Sequence, residues 1–422
     1  MNAAVDVPTT RRDGQGFGTC GGTLTVLETH PIQYHVPVYR RLQATFGIPV
    51  RVIYGSDHSV VGYRDPEFGV DLAWDTDLLA GYDAVFLSRA GTGRGAQATE
   101  GASARGLARA LREASPAAAL VVGYHPWFHQ AAFWQARRAG LPILFRGETT
   151  DHAARRGRGK AWIRDRTLRW LYRRCDALLY VGSRSLDHFR RLRCEEDRLF
   201  FSPYCVDASS FDCGEARRAD LRAATRQRWG LTESDRVFLF SGKLAPRKAP
   251  ELLIQAVREL PAAAREHVVV GWLGSGELRG ALEALASRTP RVKVRFFGFQ
   301  NQSALSPYYH AADLLVLPSL HSETWGLVVN EALHHGVPCV VSDAVGCAPD
   351  LVKLGATGEV FETGSAGSLA SALQRAMLLT GRPEVRQVCR DTVGGYTVER
   401  AAEGIARAYR RVIAGARDGS RS

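Results

Sequence analysis

The sequence has no long apolar run and no closely paired cysteines. No segment approaches the roughly 18 apolar residues that a helix needs to cross a bilayer, and the polar start of the chain lacks the apolar core of a signal peptide. None of the eight cysteines belongs to a Cys-x-x-Cys pair, so reduced and mostly buried thiols are expected. These absences predict a cytoplasmic protein, with peripheral contact at the inner membrane face left open.

Lysine is scarce although the chain is basic. Only five of the 55 basic residues are lysines, and the formal net charge is +12. Composition bias explains such an excess of arginine as well as a binding patch does, so no nucleic-acid partner is predicted. A basic surface does favour anionic ligands or membrane headgroups.

Apolar sequence is abundant, and it comes in short segments. A chain of 422 residues with 45% hydrophobic content can bury two cores. Strand-like apolar segments alternate with helical ones along most of the chain. This alternation predicts two α/β domains with parallel sheets.

The most informative segment, 319–338, holds two carboxylates, Glu323 and Glu331. Together with the apolar run before it, its pattern predicts a buried strand, a loop, a helix over 326–335 and a second strand. The amides at the start of such a helix can bind a phosphate. Since carboxylates beside that site would repel phosphate, we expect them to accept hydrogen bonds from sugar hydroxyls. A sugar joined to a phosphate fits both features.

Pro318-Ser319, Glu323-x7-Glu331 and Gly336-Val-Pro338 together resemble the donor-site signature of the family-4, or group 1, glycosyltransferases. That family consists of retaining enzymes with the GT-B fold, in which two Rossmann-like domains with parallel sheets face each other across a cleft. The resemblance implies a nucleotide-diphosphate sugar as co-substrate, with Glu323 on the donor sugar and Glu331 on the ribose. Two solvated glutamates are the alternative interpretation. The segment expected to face the diphosphate comprises Trp325, Gly326, Leu327 and Val328.

A loop rich in cations follows an earlier apolar strand. Gly242 leads into Lys243, Arg247 and Lys248, which we expect to face the diphosphate and, for the two lysines, to assist catalysis. The family usually has arginine at the position of Lys243 and glycine at that of Ala249. Because lysine lacks the planar fork that grips two phosphate oxygens, Arg247 is expected to compensate. A solvated basic loop is the alternative.

Two other strand ends complete the expected donor side. Glu277 follows a strand and a glycine-rich turn, and Phe299 closes a strand that, by resemblance, ends near the nucleotide base. Glycine permits close approach of the backbone, although a simple turn also explains Gly274 and Gly276.

The first domain is expected to hold the acceptor. After the first strand, the loop 29–39 stands where many relatives carry a Gly-Gly loop, and such a strand end points into the cleft. Helix capping and core packing are the alternatives for some of its residues. The candidates for contact with the acceptor or the donor phosphate are His30, Gln33, Tyr34 and His35.

Two later strand ends carry further candidates. By resemblance, His125 hydrogen-bonds the donor sugar across the cleft and acts in catalysis with Glu323 and the two lysines; a structural histidine is the alternative. Arg146 and Glu148 follow a third strand. They either pair with each other or bind the acceptor.

The resemblance also sets the domain boundaries. We expect a flexible leader at 1–21, a first domain at 22–205 and a second domain at 206–395, with the crossover near 203–207. A final amphipathic helix within 396–422 is expected to cross back onto the first domain.

Two further segments resemble a metal-binding motif and a membrane-binding helix, respectively. Asp75-Thr-Asp77 has the form of the metal-diphosphate site of single-domain transferases but lacks the preceding strand. Since protein cations replace the metal in a two-domain transferase, no cofactor and no required metal are predicted. The basic, aromatic segment 155–174 is either a peripheral contact with an anionic membrane or a surface helix packed by its apolar side.

The expected activity is transfer of a sugar, hexosyltransferase-like and retaining, to a small-molecule or lipid-linked acceptor in bacterial natural-product, polysaccharide or glycolipid biosynthesis. Two alternatives are a nucleotide-sugar epimerase on the same fold and a non-catalytic relative that binds glycan or membrane. A Rossmann dehydrogenase is disfavoured because the glycines of 14–22 precede the first strand.

Overall fold

A computed structural model describes residues 22–64, 71–72, 74–89, 102–152, 157–211, 213–289 and 291–419 of the protein. The predicted leader at 1–21 and the first two residues of the basic segment 155–174 lie outside these ranges.

The first domain is built on a seven-stranded parallel sheet with the order β5-β2-β1-β6-β7-β8-β9. Its inner strands are almost continuously apolar because helices cover both faces of the sheet. A short antiparallel pair, β3 and β4, lies outside the sheet. The strands are β1 (Leu24–Glu28), β2 (Val50–Tyr54), β3 (Tyr63–Arg64), β4 (Asp71–Leu72), β5 (Asp83–Phe86), β6 (Ala118–Val122), β7 (Ile143–Gly147), β8 (Ala177–Tyr180) and β9 (Leu199–Phe201).

Among the described residues, six helices connect the strands of this domain. The chain runs outward from β1 to β2 and β5 and then returns to place β6 on the other side of β1. Ligands of such sheets bind where the winding direction reverses, beyond the carboxyl ends of β1 and β6. The helices are α1 (Val36–Phe46), α2 (His58–Val61), α3 (Leu107–Ala114), α4 (Trp127–Arg138), α5 (Arg158–Tyr172) and α6 (Ser183–Arg191).

The second domain repeats the design with a six-stranded parallel sheet of order β12-β11-β10-β13-β14-β15. Its winding reverses between β10 and β13, so the loops after these two strands meet. The strands are β10 (Arg236–Ser241), β11 (Val268–Leu273), β12 (Lys293–Gly298), β13 (Leu314–Leu317), β14 (Cys339–Ser342) and β15 (Gly358–Phe361). The helices are α7 (Glu215–Arg228), α8 (Glu251–Glu259), α9 (Ala262–Arg265), α10 (Arg279–Ser287), α11 (Ser306–Ala311), α12 (Leu327–His334), α13 (Ala348–Leu351), α14 (Ala366–Met377) and α15 (Pro383–Val393).

The last helix, α16 (Val398–Gly419), packs against the first domain. Its buried Ile405 and Tyr409 share a core with Leu42 of α1. Gly404 permits this packing, because a Cβ at that position would lie 1.8 Å from the carbonyl oxygen of Phe201 in β9. The helix therefore follows the second domain in sequence and joins the first in space.

Two parallel sheets flanked by helices confirm the prediction of two Rossmann-like domains. The seven cysteines of the described ranges are free thiols, and five of them are buried; burial raises the pKa of Cys205 to about 12. Within the same ranges, no helix combines the length and apolar character that crossing a membrane requires.

Candidate active site

A cavity of about 450 Å³ lies between the two domains at the carboxyl ends of both sheets. The loops after β10 and β13 form one wall, and the loop after β1 forms much of the other. Three predicted site residues, His125, Arg146 and Glu277, are not part of the wall that the described residues form. The predicted residues that line it are Gly242, Lys243, Arg247, Lys248, Phe299, Glu323, Trp325, Gly326, Leu327, Val328 and Glu331 on the donor side, and His30, Gln33, Tyr34, His35 and Glu148 on the acceptor side.

Lys248 and Glu323 form an ion pair in this wall. The Lys248 ammonium donates to Oε2 of Glu323, which also accepts a 2.8 Å hydrogen bond from the hydroxyl of Ser319. Both side chains are largely buried, with 13% and 11% of their surface exposed. Ala249 ends the lysine's turn with φ 45°, a left-handed conformation that favours glycine. The two predicted catalytic groups therefore form one ion pair in the cavity wall.

The start of helix α12 faces the same cavity. Gly326 precedes the helix with φ 101°, and no side chain caps it. The first amides of a helix have no acceptor within the helix, and the positive end of its dipole lies with them. Leu327 and Val328 therefore offer N–H groups, and Lys243 and Arg247 add positive charge to the same wall. The arrangement suits a diphosphate.

The Trp325 side chain has a structural role beside these amides. It is 4% exposed, and its indole N–H donates a 2.8 Å hydrogen bond to Asn330. Its ring lies near Tyr204 of the crossover and Tyr396, which precedes α16. A Cβ on Gly182 would lie 2.2 Å from this ring, so glycine is required there for the domains to meet.

Glu331 is almost completely buried, with 1% of its surface exposed. Its two carboxylate oxygens accept hydrogen bonds from Tyr309 at 2.6 Å and from Tyr34 of the first domain at 3.2 Å. Burial raises the pKa of Glu331 to about 7, against the opposing effect of the two tyrosine hydroxyls. Tyr34 therefore contacts the predicted ribose-binding carboxylate across the cleft.

A buried polar network supports the acceptor side. His35 Nδ1 lies 2.5 Å from Oε1 of Glu28, and the Tyr39 hydroxyl donates to the other carboxylate oxygen at 2.9 Å. Burial alone would raise the pKa of Glu28, but His35 and Tyr39 bring that pKa below its ordinary value. The network holds the histidine ring at the cavity wall.

Arg146 lies beneath this wall and does not pair with Glu148. Its guanidinium donates to the carbonyl of Pro203 at 3.0 Å, approaches His35 Nε2 to 3.3 Å and lies over the ring of Tyr204. Glu148 instead accepts a 2.8 Å hydrogen bond from Thr324 across the cleft. The predicted alternative of an Arg146–Glu148 ion pair is therefore wrong, and Arg146 positions the crossover.

The predicted histidines differ in their surroundings. His30 lies in the wall with its ring 4.4 Å from that of His58, and burial followed by the His58 charge lowers the pKa of His30 to about 4. The His125 side chain is exposed, and its carbonyl accepts a 2.9 Å hydrogen bond from His129. Glu277 is also exposed beyond the turn at Gly274 and Gly276.

The Asp75-Thr-Asp77 segment makes local and interdomain contacts. Asp75 accepts hydrogen bonds from the amide, at 3.2 Å, and the hydroxyl of Ser303 in the second domain. Asp77 accepts from the amide of Leu79 at 2.9 Å. Among the residues with described positions, no cluster of three or more histidines, cysteines or carboxylates could hold a metal ion.

The basic segment forms α5, which packs Leu168 and Tyr172 inward. Trp162 and Ile163 remain 65% and 61% exposed. Membrane contact by this helix stays a prediction.

Several residues of the site were not predicted. Tyr309 is completely buried and links Glu331 to Ser241; a buried tyrosine hydroxyl needs a partner, but its partner is not visible in sequence. Tyr204 lines the cavity from the crossover. Glu28 could have been predicted as part of the site, because a carboxylate at the end of a buried strand needs polar partners nearby.

Comparisons with known proteins bear on this geometry. The family model of glycosyl transferases group 1 matches residues 222–394, which include both glutamates and Lys248. The chain is 31% identical over 324 residues to D-inositol 3-phosphate glycosyltransferase of Mycobacteroides abscessus, covering 73% of this chain and 70% of that protein. The Mycobacterium leprae protein of the same name is 31% identical over 231 residues, 52% of this chain and 53% of that one.

Solved structures share the fold. Sucrose-phosphate synthase of Thermosynechococcus elongatus superposes with a TM-score of 0.69 at 18% identity, covering 93% of this chain and all of that one. Anabaena HepE, solved in complex with UDP and glucose, gives a TM-score of 0.64 at 16% identity, covering 92% and 98%. At these identities the likeness shows a common architecture.

Proposed function

Because the chain belongs to the group 1 glycosyltransferases, we propose that it transfers a sugar from a nucleotide-diphosphate sugar to an acceptor with retention of anomeric configuration. One observation carries the proposal: the Lys248–Glu323 pair, the start of α12 and buried Glu331 meet in one cavity at the switch point of the second sheet. Cations and amides there suit the diphosphate, and carboxylates beside them suit hydroxyls.

The donor would lie along the wall of the second domain. Glu331 accepts a hydrogen bond from the ribose, and Lys243, Arg247 and the amides of α12 hold the diphosphate. Glu323 accepts hydrogen bonds from the donor sugar, and Lys248 holds that carboxylate in place. Phe299 lines the end of the cavity expected for the base. The solved complex of HepE with UDP supports UDP as the first nucleotide to test.

In the proposed transfer, an acceptor oxygen forms a bond to the anomeric carbon on the face that the diphosphate leaves. The bond between that carbon and the phosphate oxygen breaks, and this oxygen takes the acceptor proton. The protein stabilises the departing diphosphate through its cations and helix amides and orients both substrates. No protein nucleophile is needed in this scheme.

The acceptor would bind the first-domain wall formed by His30, Gln33, His35 and Glu148. Amide and carboxylate oxygens there can accept hydrogen bonds from hydroxyls. The names of the mycobacterial relatives support a hydroxylated acceptor. A small molecule and the headgroup of a lipid-linked acceptor both fit this description.

A thermal-shift screen of nucleotide-sugars tests the donor assignment, since a ligand of the folded state raises stability by mass action. The stabilising donor is then incubated alone and with candidate acceptors. Conversion of the donor by itself into another nucleotide-sugar would favour the epimerase. Stabilisation by none of the nucleotide-sugars would contradict the proposal.

Activity is expected to persist in excess chelator, because Lys243, Arg247, Lys248 and the α12 amides supply the positive charge that a metal would provide. Initial rates are compared before and after treatment with EDTA, and after addition of magnesium or manganese. Loss of activity that either metal restores would show that the protein cations are insufficient.

Glu323→Gln is expected to lower kcat about fivefold with a smaller change in KM. The donor sugar gains positive character as the diphosphate leaves, so a carboxylate helps the transition state more than the ground state, by about 1 kcal/mol. Steady-state kinetics at matched stability measure the effect. An approximately fivefold rise in KM with unchanged kcat would show instead that Glu323 stabilises the bound donor and the transition state equally.

A further inference from the structure

A second charged pocket lies behind the donor cavity, between α7, α11, the end of α12 and α15. Its wall contains five arginines but only two carboxylates, Glu215 and Asp313. The donor-site residues Lys248 and Glu323 are not part of this wall. Such an excess of one sign in a partly buried place is unfavourable unless an opposite charge is supplied. The arginines are Arg218, Arg222, Arg382, Arg386 and Arg390.

Some of these arginines have structural partners. Arg222 donates to Asp313 at 2.6 Å and to the carbonyl of Ala312 at 3.0 Å, so it caps the end of α11. Arg218 donates to the carbonyl of Cys213 at 2.8 Å. Asp313 is already shared with Arg226, at 3.2 Å. Asp313 is therefore fully engaged by the α7 arginines Arg222 and Arg226.

Arg386 has no such partner. Its guanidinium is half-buried, yet it makes no hydrogen bond or ion pair with any residue whose position the structure describes. Burial, followed by the neighbouring charge of Arg222, lowers the pKa of Arg386. In Arg390, Nη2 pairs with Glu215 at 3.0 Å, while buried Nη1 has no partner within the described part of the chain. Unused donors of both residues therefore lie in one pocket.

A buried histidine adds an independent sign of a missing ligand. His310 is 5% exposed, and its Nε2 has no hydrogen-bond partner among the described residues. The ring belongs to the pocket wall together with Arg386 and Arg390. A buried polar atom without a partner costs free energy, and an anionic oxygen here would accept from its N–H tautomer.

We propose that this arginine pocket binds a phosphate group. Phosphate oxygens match the paired N–H groups of guanidinium better than a spherical anion such as chloride does. The pocket measures about 30 Å³, room for roughly two water molecules, which the oxygens of a phosphate group would replace. An adjoining cavity of about 630 Å³ shares Arg218 and Arg390 in its wall, and it can hold the remainder of a phosphate monoester.

Helix α12 connects the pocket to the donor site. Its first turn and Glu331 face the donor cavity, whereas His335, directly after its last residue, lies in the arginine pocket. The His335 ring contacts the carbonyl of Glu331 at 2.7 Å and the Ser306 hydroxyl at 2.9 Å. An anion in the pocket would thus fix the end of the helix that presents Glu331.

Titration calorimetry and thermal melts with inorganic phosphate and with glycerol 3-phosphate, at constant ionic strength set by sodium chloride, test the proposal. The Lys248→Ala protein is used as background to weaken phosphate binding in the donor cavity. Arg386→Gln is expected to weaken phosphate binding at least tenfold, and Arg390→Gln to weaken it less. Arg279→Gln is the matched control, because that arginine is exposed and pairs with Glu283 outside the pocket.

A second readout separates a ligand site from a structural arginine. Without phosphate, Arg386→Gln should be at least as stable as its parent, since it removes an unpaired, half-buried charge; with saturating phosphate, the parent should be more stable. Tighter binding of glycerol 3-phosphate than of phosphate would identify a monoester ligand, and the reverse order free phosphate. Equal stabilisation of Arg386→Gln and its parent, or no effect beyond that of chloride, would overturn the proposal.

Discussion

Lys248→Ala is expected to reduce kcat about a hundredfold while the protein remains folded. The ammonium stands beside the place where the diphosphate gains charge, and removing one such preorganised donor typically costs a factor of 10² to 10³. The change also leaves the Glu323 carboxylate, 11% exposed, without the cation that holds it. A charge buried without its partner is strongly unfavourable, so the second catalytic group is disturbed together with the first.

Steady-state kinetics of Lys248→Ala with the true donor, accompanied by melting curves, measure this effect. Lys293→Ala is the matched control, because it removes another lysine of the same domain that pairs with a carboxylate, Asp235, at 2.7 Å outside the cavity. The control should keep its kcat. Wild-type kinetics for Lys248→Ala would remove this lysine from the site and leave the ion pair with Glu323 a structural contact.

The donor half could be predicted because its chemistry is local in sequence. Strand, loop and helix around Glu323 follow each other without interruption, and the helix, Leu327–His334, lies within the predicted range 326–335. The cationic loop after β10, which carries Lys248, lies near the Glu323 loop only because β10 and β13 are neighbours in the sheet. The prediction that these two loops meet came from the family resemblance, because no local sequence pattern encodes the order of strands in a sheet.

Three of the four edge strands were not predicted, whereas the fourth, β12, was expected as the strand before Phe299. β5, β9 and β15 are edge strands of three or four residues. An edge strand is covered less completely and needs fewer apolar residues, so its pattern is weak. Inner strands such as β1 and β11, buried along their whole length, were found.

The acceptor half resisted prediction because its contacts join distant segments. Tyr34 reaches Glu331 over 297 positions of sequence, and Arg146 binds the carbonyl of Pro203 over 57. Arg146 was expected either to pair with Glu148 or to bind the acceptor. The buried carbonyls of the crossover, however, needed a hydrogen-bond donor, and Arg146 supplies it. Which buried polar groups need a hydrogen-bond partner, and which residue provides it, can be seen only in the folded structure.

Glu331→Gln is expected to stabilise the fold at alkaline pH. Burial raises the pKa of Glu331 to about 7 in the folded protein, above the value of about 4.3 for an exposed glutamate. The folded state therefore holds its proton more tightly, so stability from this group is present below pH 4 and is lost as the pH rises through 7. Glutamine does not ionise. At pH 8 the variant should be more stable by about 3 to 4 kcal/mol, and the difference should vanish near pH 4.

The same substitution is expected to weaken donor binding about five- to thirtyfold at pH 8. A carboxylate accepts a stronger hydrogen bond from ribose than an amide does, by about 1 to 2 kcal/mol. Since the ionised form is the better acceptor, wild-type affinity should increase as the pH rises through 7, and the affinity of the variant should stay flat. Calorimetric titration with the donor nucleotide between pH 5.5 and 8.5, beside melting curves at each pH, separates the two effects. A variant that gains stability but binds the nucleotide like the wild type would show that Tyr34 and Tyr309, and not the ribose, are the partners for which Glu331 is buried.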